Sequence, residues 1–179
     1  MSAMLRVALI GMLIISQVLL SPSSNAVAQD KAEEAWWLTA TFVPKQTEYL
    51  SLRASDIDPS WVALSPLDMK ALPKDAASDL EWMKRDGFRF SWDGKLNEGR
   101  STHIATGVYK AQDGSTGRFL LVLVKSTSGN WQVKFLHKEP GDPGFGILRI
   151  TKSGMYWGTC MLCDGFRRIV VGKDSYRLQ

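Results

Sequence analysis

The stretch RFLLVLVKSTSGNWQVKFLHK, Arg118–Lys138, decides how the fold is read. Phe119-Leu120-Leu121-Val122-Leu123-Val124 is apolar on both faces, the mark of a strand buried inside a sheet. Ser128-Gly129-Asn130 supplies turn chemistry. Beyond it, Trp131, Val133 and Phe135 alternate with Gln132 and Lys134, which predicts a strand with one wet face. His137 continues the apolar face, where a hydrogen-bonded core histidine is expected.

Working outward, the same rhythm of short runs and turns fills residues 88–179. Strands are predicted at Phe88–Trp92, His103–Lys110, Phe145–Thr151, Met155–Met161, Phe166–Val171 and Tyr176–Leu178. Gln112-Asp113-Gly114-Ser115, Gly141-Asp142-Pro143-Gly144 and Asp164-Gly165 separate them. Connections this short demand antiparallel pairing, because a parallel crossover needs a dozen or more residues. The fold class is therefore α+β, mostly β: an antiparallel meander, sandwich- or barrel-like. Towards the amino terminus, Ala35–Phe42 (AWWLTATF) reads as a first strand. Between about 56 and 87 short helices are predicted. Asp58-Pro59 and Ser65-Pro66 each place proline after a capping residue, and Asp75 can cap a third helix that ends at Gly87. Trp61 and Trp82 are expected to dock these helices.

The chain has 179 residues, 45% hydrophobic and 22% charged, which excludes disordered, collagen-like and disulfide-scaffold classes. Met1–Arg6 carries one positive charge, Val7–Leu20 is almost wholly apolar, and Ala26-Val27-Ala28 has the small-x-small pattern of a cleavage site. The first 28 residues are predicted to be a signal peptide for the general secretory route, cleaved after Ala28. The remaining residues, 29–179, form one domain, expected in the periplasm or outside the cell and without membrane insertion. Charge divides unevenly along it. Residues 29–117 sum to −3 and residues 118–179 to +6, which favours an anionic envelope component or another protein as partner. Nucleic acid does not fit an exported chain without a dense basic cluster.

Cys160-Met161-Leu162-Cys163 admits three chemistries. In an oxidising compartment the pair closes a disulfide, worth about 2 kcal/mol for so small a loop, and clamps the Asp164-Gly165 turn. A redox pair needs an electropositive setting, which Asp164 opposes. A zinc set would need His103 and His137 as well, joining Cys160 and Cys163 from long separations. The disulfide is the favoured reading, and neither cofactor nor metal is expected.

Trp92-Asp93-Gly94-Lys95-Leu96-Asn97-Glu98-Gly99, followed by His103–Tyr109, resembles a degenerate FG-GAP repeat, the calcium-loop unit of integrin-type propellers, over residues 92–109. The resemblance implies oxygen ligands at Asp93 and Asn97. Lys95 and His103 depart from it, so a structural hairpin without tight calcium binding is expected. The chain as a whole resembles exported bacterial proteins with a tryptophan-rich start and a terminal C-x-x-C-D. Ser153-Gly154-Met155-Tyr156 resembles the Ser-Gly-x-x-Tyr motif of periplasmic lysozyme inhibitors, one residue short.

Gly114-Ser115-Thr116-Gly117 is not a nucleophile elbow, and the run Gly141–Gly146 lacks the lysine of a phosphate loop. Glu139 and Asp142 read as surface turn residues. The leading expectation is an exported binding or accessory domain without catalytic activity. Trp131, Tyr156, Trp157, Arg167 and Arg168 are its candidate binding residues. A small cell-envelope hydrolase using His103, Asp93 and Glu98 is one alternative; a secreted enzyme inhibitor is another.

Overall fold

Phe119–Val124 cannot meet water on either side, and the rest of the fold is built around that fact. In a computed structural model, which describes residues 35–96, 99–173 and 175–179, these six residues are at most 2% exposed. They belong to β7 (Thr116–Lys125), which lies inside a sheet between β6 (Arg100–Ala111) and β8 (Trp131–Pro140). β6 is long enough to hold two strands end to end on its other edge. β3 (Trp61–Pro66) pairs with its carboxy-terminal half and β5 (Ser91–Leu96) with its amino-terminal half. A second sheet runs in the order β12-β11-β10-β9-β4. It comprises β9 (Ile147–Thr151), β10 (Gly154–Gly158), β11 (Arg167–Val171), β12 (Tyr176–Leu178) and β4 (Phe88–Arg89). All pairings are antiparallel, and the architecture is that of a mostly β, α+β fold with no closed barrel.

The sheets pack face to face. Ile104, Leu120 and Val122 of the first meet Leu148, Trp157 and Ile169 of the second. Each such buried side chain contributes roughly 1.5–3 kcal/mol. The opposite face of the first sheet buries Phe119, Leu121 and Leu123 beneath Ile57 and Trp61. Here lie the one-turn α2 (Ala54–Ile57) and the hairpin of β1 (Glu48–Tyr49) and β2 (Leu52–Arg53). A third cluster seats α3 (Leu80–Arg85) through Met83 against Phe88, Phe90, Phe145 and Trp36. Asp79 accepts the indole N–H groups of both Trp36 (2.8 Å) and Trp82 (2.9 Å), which fixes α3 to the amino-terminal segment.

Several expectations are corrected. Ala35–Phe42 is not a strand: Trp36–Thr39 forms the single turn α1, and only Thr41 makes an isolated bridge, to Gly144. Ser65-Pro66 does not open a helix, because residues 61–66 pair with β6. β3 is interrupted by an irregularity between Trp61 and Ala63, and its Pro66 sits at the last paired position of an edge strand, where proline costs no ladder bond. Asp58-Pro59 follows a helix rather than starting one. Helix does form at Leu80–Arg85, after a 3₁₀ segment Lys74–Asp79, and Gly87 ends it with φ 81° as expected. The run Phe88–Trp92 is two strands, since the chain changes sheet at Phe90 between β4 and β5.

The regular alternation predicted for β8 also fails. Val122 faces Phe135 but Leu123 faces Val133, so Lys134 is an extra residue. As a result Trp131 and Val133 pack with the α2 side of the sheet, whereas Phe135 packs between the sheets.

Candidate functional site

Asp93 and His103 are directly opposed residues on β5 and β6. Their shared face is also where β1 ends, and Tyr49 completes a chain of hydrogen bonds. Asp93 Oδ1 lies 2.7 Å from His103 Nδ1, and Tyr49 Oη lies 2.6 Å from His103 Nε2. A carboxylate can only accept, so Nδ1–H donates to it; in the neutral ring Nε2 then accepts the Tyr49 O–H. The imidazole is nearly buried, at 8% side-chain exposure, while Asp93 is 74% exposed. Both ring nitrogens are therefore engaged. Burial, helped by the Asp93 charge, pushes the Tyr49 phenol up to about 12. It holds its proton through neutral pH, the reverse of what a nucleophile or base requires.

The trio holds a strained hairpin. Tyr49 and Leu52 are paired, leaving Leu50 and Ser51 as a two-residue turn with φ of 49° and 66°. Two positive φ values are the signature of a type I′ turn, which strongly prefers Asn-Gly. A non-glycine residue in this region costs about 1–2 kcal/mol. The Tyr49–His103 bond ties the turn to the sheet and offsets that strain. A pH dependence follows from Tyr49. Its pKa is raised in the folded protein above the ordinary tyrosine value, so its contribution is full below about pH 10 and is lost as pH rises towards 12. Denaturant melts between pH 9 and 12 are expected to show a steeper loss of stability for the native chain than for Tyr49→Phe. Parallel curves would exclude the phenol as the source.

Of the expected hydrolase set, His103 and Asp93 are brought together; Glu98 lies outside the described residues. So does Asn97 of the calcium-type loop, and Asp93, its other ligand position, is bonded to His103. The residues named for zinc go to separate tasks. Cys160 and Cys163 are joined as a disulfide with Cα atoms 5.5 Å apart. His137 faces the inter-sheet side, where its ring meets Trp157 edge-on at 5.3 Å and its Nε2 accepts from Arg167 at 3.0 Å. Among the described residues no cluster of three or more metal-type ligands occurs.

The five expected binding residues are divided among three places. Trp131 lies on the outer face of the first sheet. Trp157 is fully buried between the sheets, so it offers no binding surface. Arg167 stacks on its ring at 5.0 Å and bonds Glu139 and His137, a network that Arg118 joins at 3.4 Å from Glu139. Glu139 is thereby an ion-pair partner rather than a free turn residue. Tyr156 and Arg168 lie on the outer face of the second sheet, the opposite side from Met155 and Trp157, which pack inward.

That outer face holds a residue the sequence reading missed. Arg149, Tyr156 and Arg168 are cross-strand partners on β9, β10 and β11 and form one row. The Arg149 guanidinium rests on the Phe88 ring at 5.3 Å, and Arg168 donates to the Ser153 carbonyl at 3.1 Å. Ser153 Oγ lies 3.1 Å from Tyr156 Oη and 2.8 Å from Thr151 Oγ1, so hydroxyls fill the space beside the arginines. Among the described residues no carboxylate pairs with either arginine. The turn Lys152-Ser153 with Gly154 was the available signal, because it sets Arg149 opposite Tyr156. Tyr49 left no comparable signal: its turn contains neither glycine nor asparagine.

Comparison with known proteins finds no matching family, no matching curated protein and no matching solved structure. Among the described residues no helix is long and apolar enough to cross a membrane.

Proposed function

We propose that this protein is an exported, non-catalytic binding domain that recognises an anionic component of the cell envelope. The observation that carries the reading is the row Arg149–Tyr156–Arg168, two cations flanking a phenol, neither paired with a carboxylate among the described residues. Export is supported by the leader-like residues 1–28 and by the disulfide, which suits an oxidising compartment. The periplasm is the compartment proposed. Purified protein should be retained on an immobilised sulfated polysaccharide and eluted by salt, as expected for exposed charges. Arg149→Ala with Arg168→Ala should elute at clearly lower salt, whereas Lys45→Ala with Lys70→Ala should not. Equal elution of the arginine variant and the native chain would refute the basic face as the binding surface.

The Asp93–His103 contact gives a hydrolase reading its one specific support. The partner at Nε2 speaks against it: a relay needs a hydroxyl that gives up its proton, and Tyr49 is a buried phenol whose pKa is pushed up to about 12. Turnover of an envelope ester or glycoside that disappears in His103→Ala would decide for the enzyme.

A further inference from the structure

We infer that the strained turn Leu50-Ser51 and the indole of Trp131 form a second binding site, for an oligosaccharide bearing acidic groups. This rests on the reading of the protein as a binding domain but uses the opposite face of the molecule. The turn borders an open depression of about 610 Å³ whose walls include Leu50, Ser51, Lys125, Asn130 and Trp131. Their chemistry is that of sugar recognition: an aromatic platform for the C–H face of a pyranose, a hydroxyl and an amide for its hydroxyls, and an ammonium for a carboxylate or sulfate. Among the described residues no carboxylate lines the depression. Lys125 is the cross-strand partner of Trp131 and its Nζ lies over the ring, 5.1 Å from the centre, so the cation caps one face of the indole at the platform itself.

Two features mark this surface as prepared rather than incidental. Leu50 remains 38% exposed in a conformation that disfavours it, so the turn keeps its side chains at a cost that Asn-Gly would remove. Trp131 is also braced: His103 meets its ring at 6.0 Å, and Tyr49 and Asp93 fix His103. Platform and turn are thus held by the same three side chains, which reduces the ordering needed on binding. A second depression of about 560 Å³ shares Lys125 but is lined by Val124 and Gln132 from the other face of the sheet, and is no part of this site.

The test is titration calorimetry of the purified protein with three hexasaccharide probes: a uronic acid oligomer, a sulfated oligomer and a neutral hexose oligomer. At least one acidic probe should bind, with the neutral one weaker. Trp131→Ala should weaken that binding roughly tenfold or more, as for an aromatic anchor. Leu50→Asn with Ser51→Gly, which eases the turn, should raise the melting temperature while weakening the sugar. Lys45→Ala with Lys70→Ala should leave the titration unchanged. The inference is overturned if no probe binds, if Trp131→Ala and the eased turn bind as the native chain does, or if only the arginine variant loses binding. The last outcome would transfer the ligand to the basic face and leave the proposed function standing. Loss of salt-dependent retention with intact sugar titration would do the reverse.

Discussion

Replacing Trp157 by alanine is expected to destabilise the protein by about 3–5 kcal/mol, the usual range for emptying a buried aromatic site. Trp157 is the largest fully buried side chain in the layer between the sheets. Its indole N–H donates to Thr106 Oγ1 at 3.1 Å, and its ring carries the Arg167 guanidinium and the edge of His137. Alanine would leave a cavity and also remove the surface against which Arg167 is stacked while it bonds Glu139. Trp157→Phe keeps most of the packing and loses one hydrogen bond. Thr106 still donates to the Phe119 carbonyl, so that variant should cost only about 1–2 kcal/mol. For a domain of this size the alanine variant should melt roughly 10 °C lower. Calorimetric or denaturant unfolding of both variants checks the ranking. Equal losses would mean that the hydrogen bond, not the volume, anchors the layer.

The second large effect is expected at Gly87. It ends α3 at φ 81°, and a Cβ there would stand 2.1 Å from the Ile150 carbonyl oxygen, a backbone atom of β9. Its own carbonyl accepts the Ile150 N–H at 2.9 Å, so neither strand can retreat without losing that bond. Gly87→Ala should cost about 3 kcal/mol or more, combining left-handed strain with the clash. Gly114 separates the two terms, because it has φ 85° but no atom within 4 Å of the Cβ position. Gly114→Ala should lose only the conformational share, about 1–2 kcal/mol. Matching losses at the two sites, measured by denaturant midpoints, would exclude the clash.

Where the sequence could be read, the signal was hydrophobic patterning over several residues. Phe119–Val124 announced a strand buried on both faces, and the closely spaced turns after it announced antiparallel neighbours. The errors arose where a short local preference met a long-range pairing. Ser65-Pro66 has helix-start chemistry, yet pairing with β6 outweighs it, since Leu64 is fully buried and Ser65 and Pro66 align with Val108 and Gly107. Ala35–Phe42 has strand-type residues but no strand beside it to pair with beyond the single bridge at Thr41. The site was half legible for the same reason. Asp93 and His103 flank one hairpin, so nearness in sequence becomes nearness in space. Tyr49 reaches His103 across 54 positions, and no spacing rule can anticipate that. Clustering of Trp131, Tyr156, Trp157, Arg167 and Arg168 assumed a single surface, but neighbouring residues on a strand point to opposite sides of a sheet.

The extra residue in β8 has a consequence for how this chain can vary. Up to Val133 the strand is read in one frame and from Phe135 onward in the other, with Lys134 as the shift between them. Changes before the shift are felt at the Trp131 platform; changes after it are felt at Trp157 and the ion-pair network. A single strand thus carries two independently editable sentences, and drift in the one that holds Trp131 need not disturb the other.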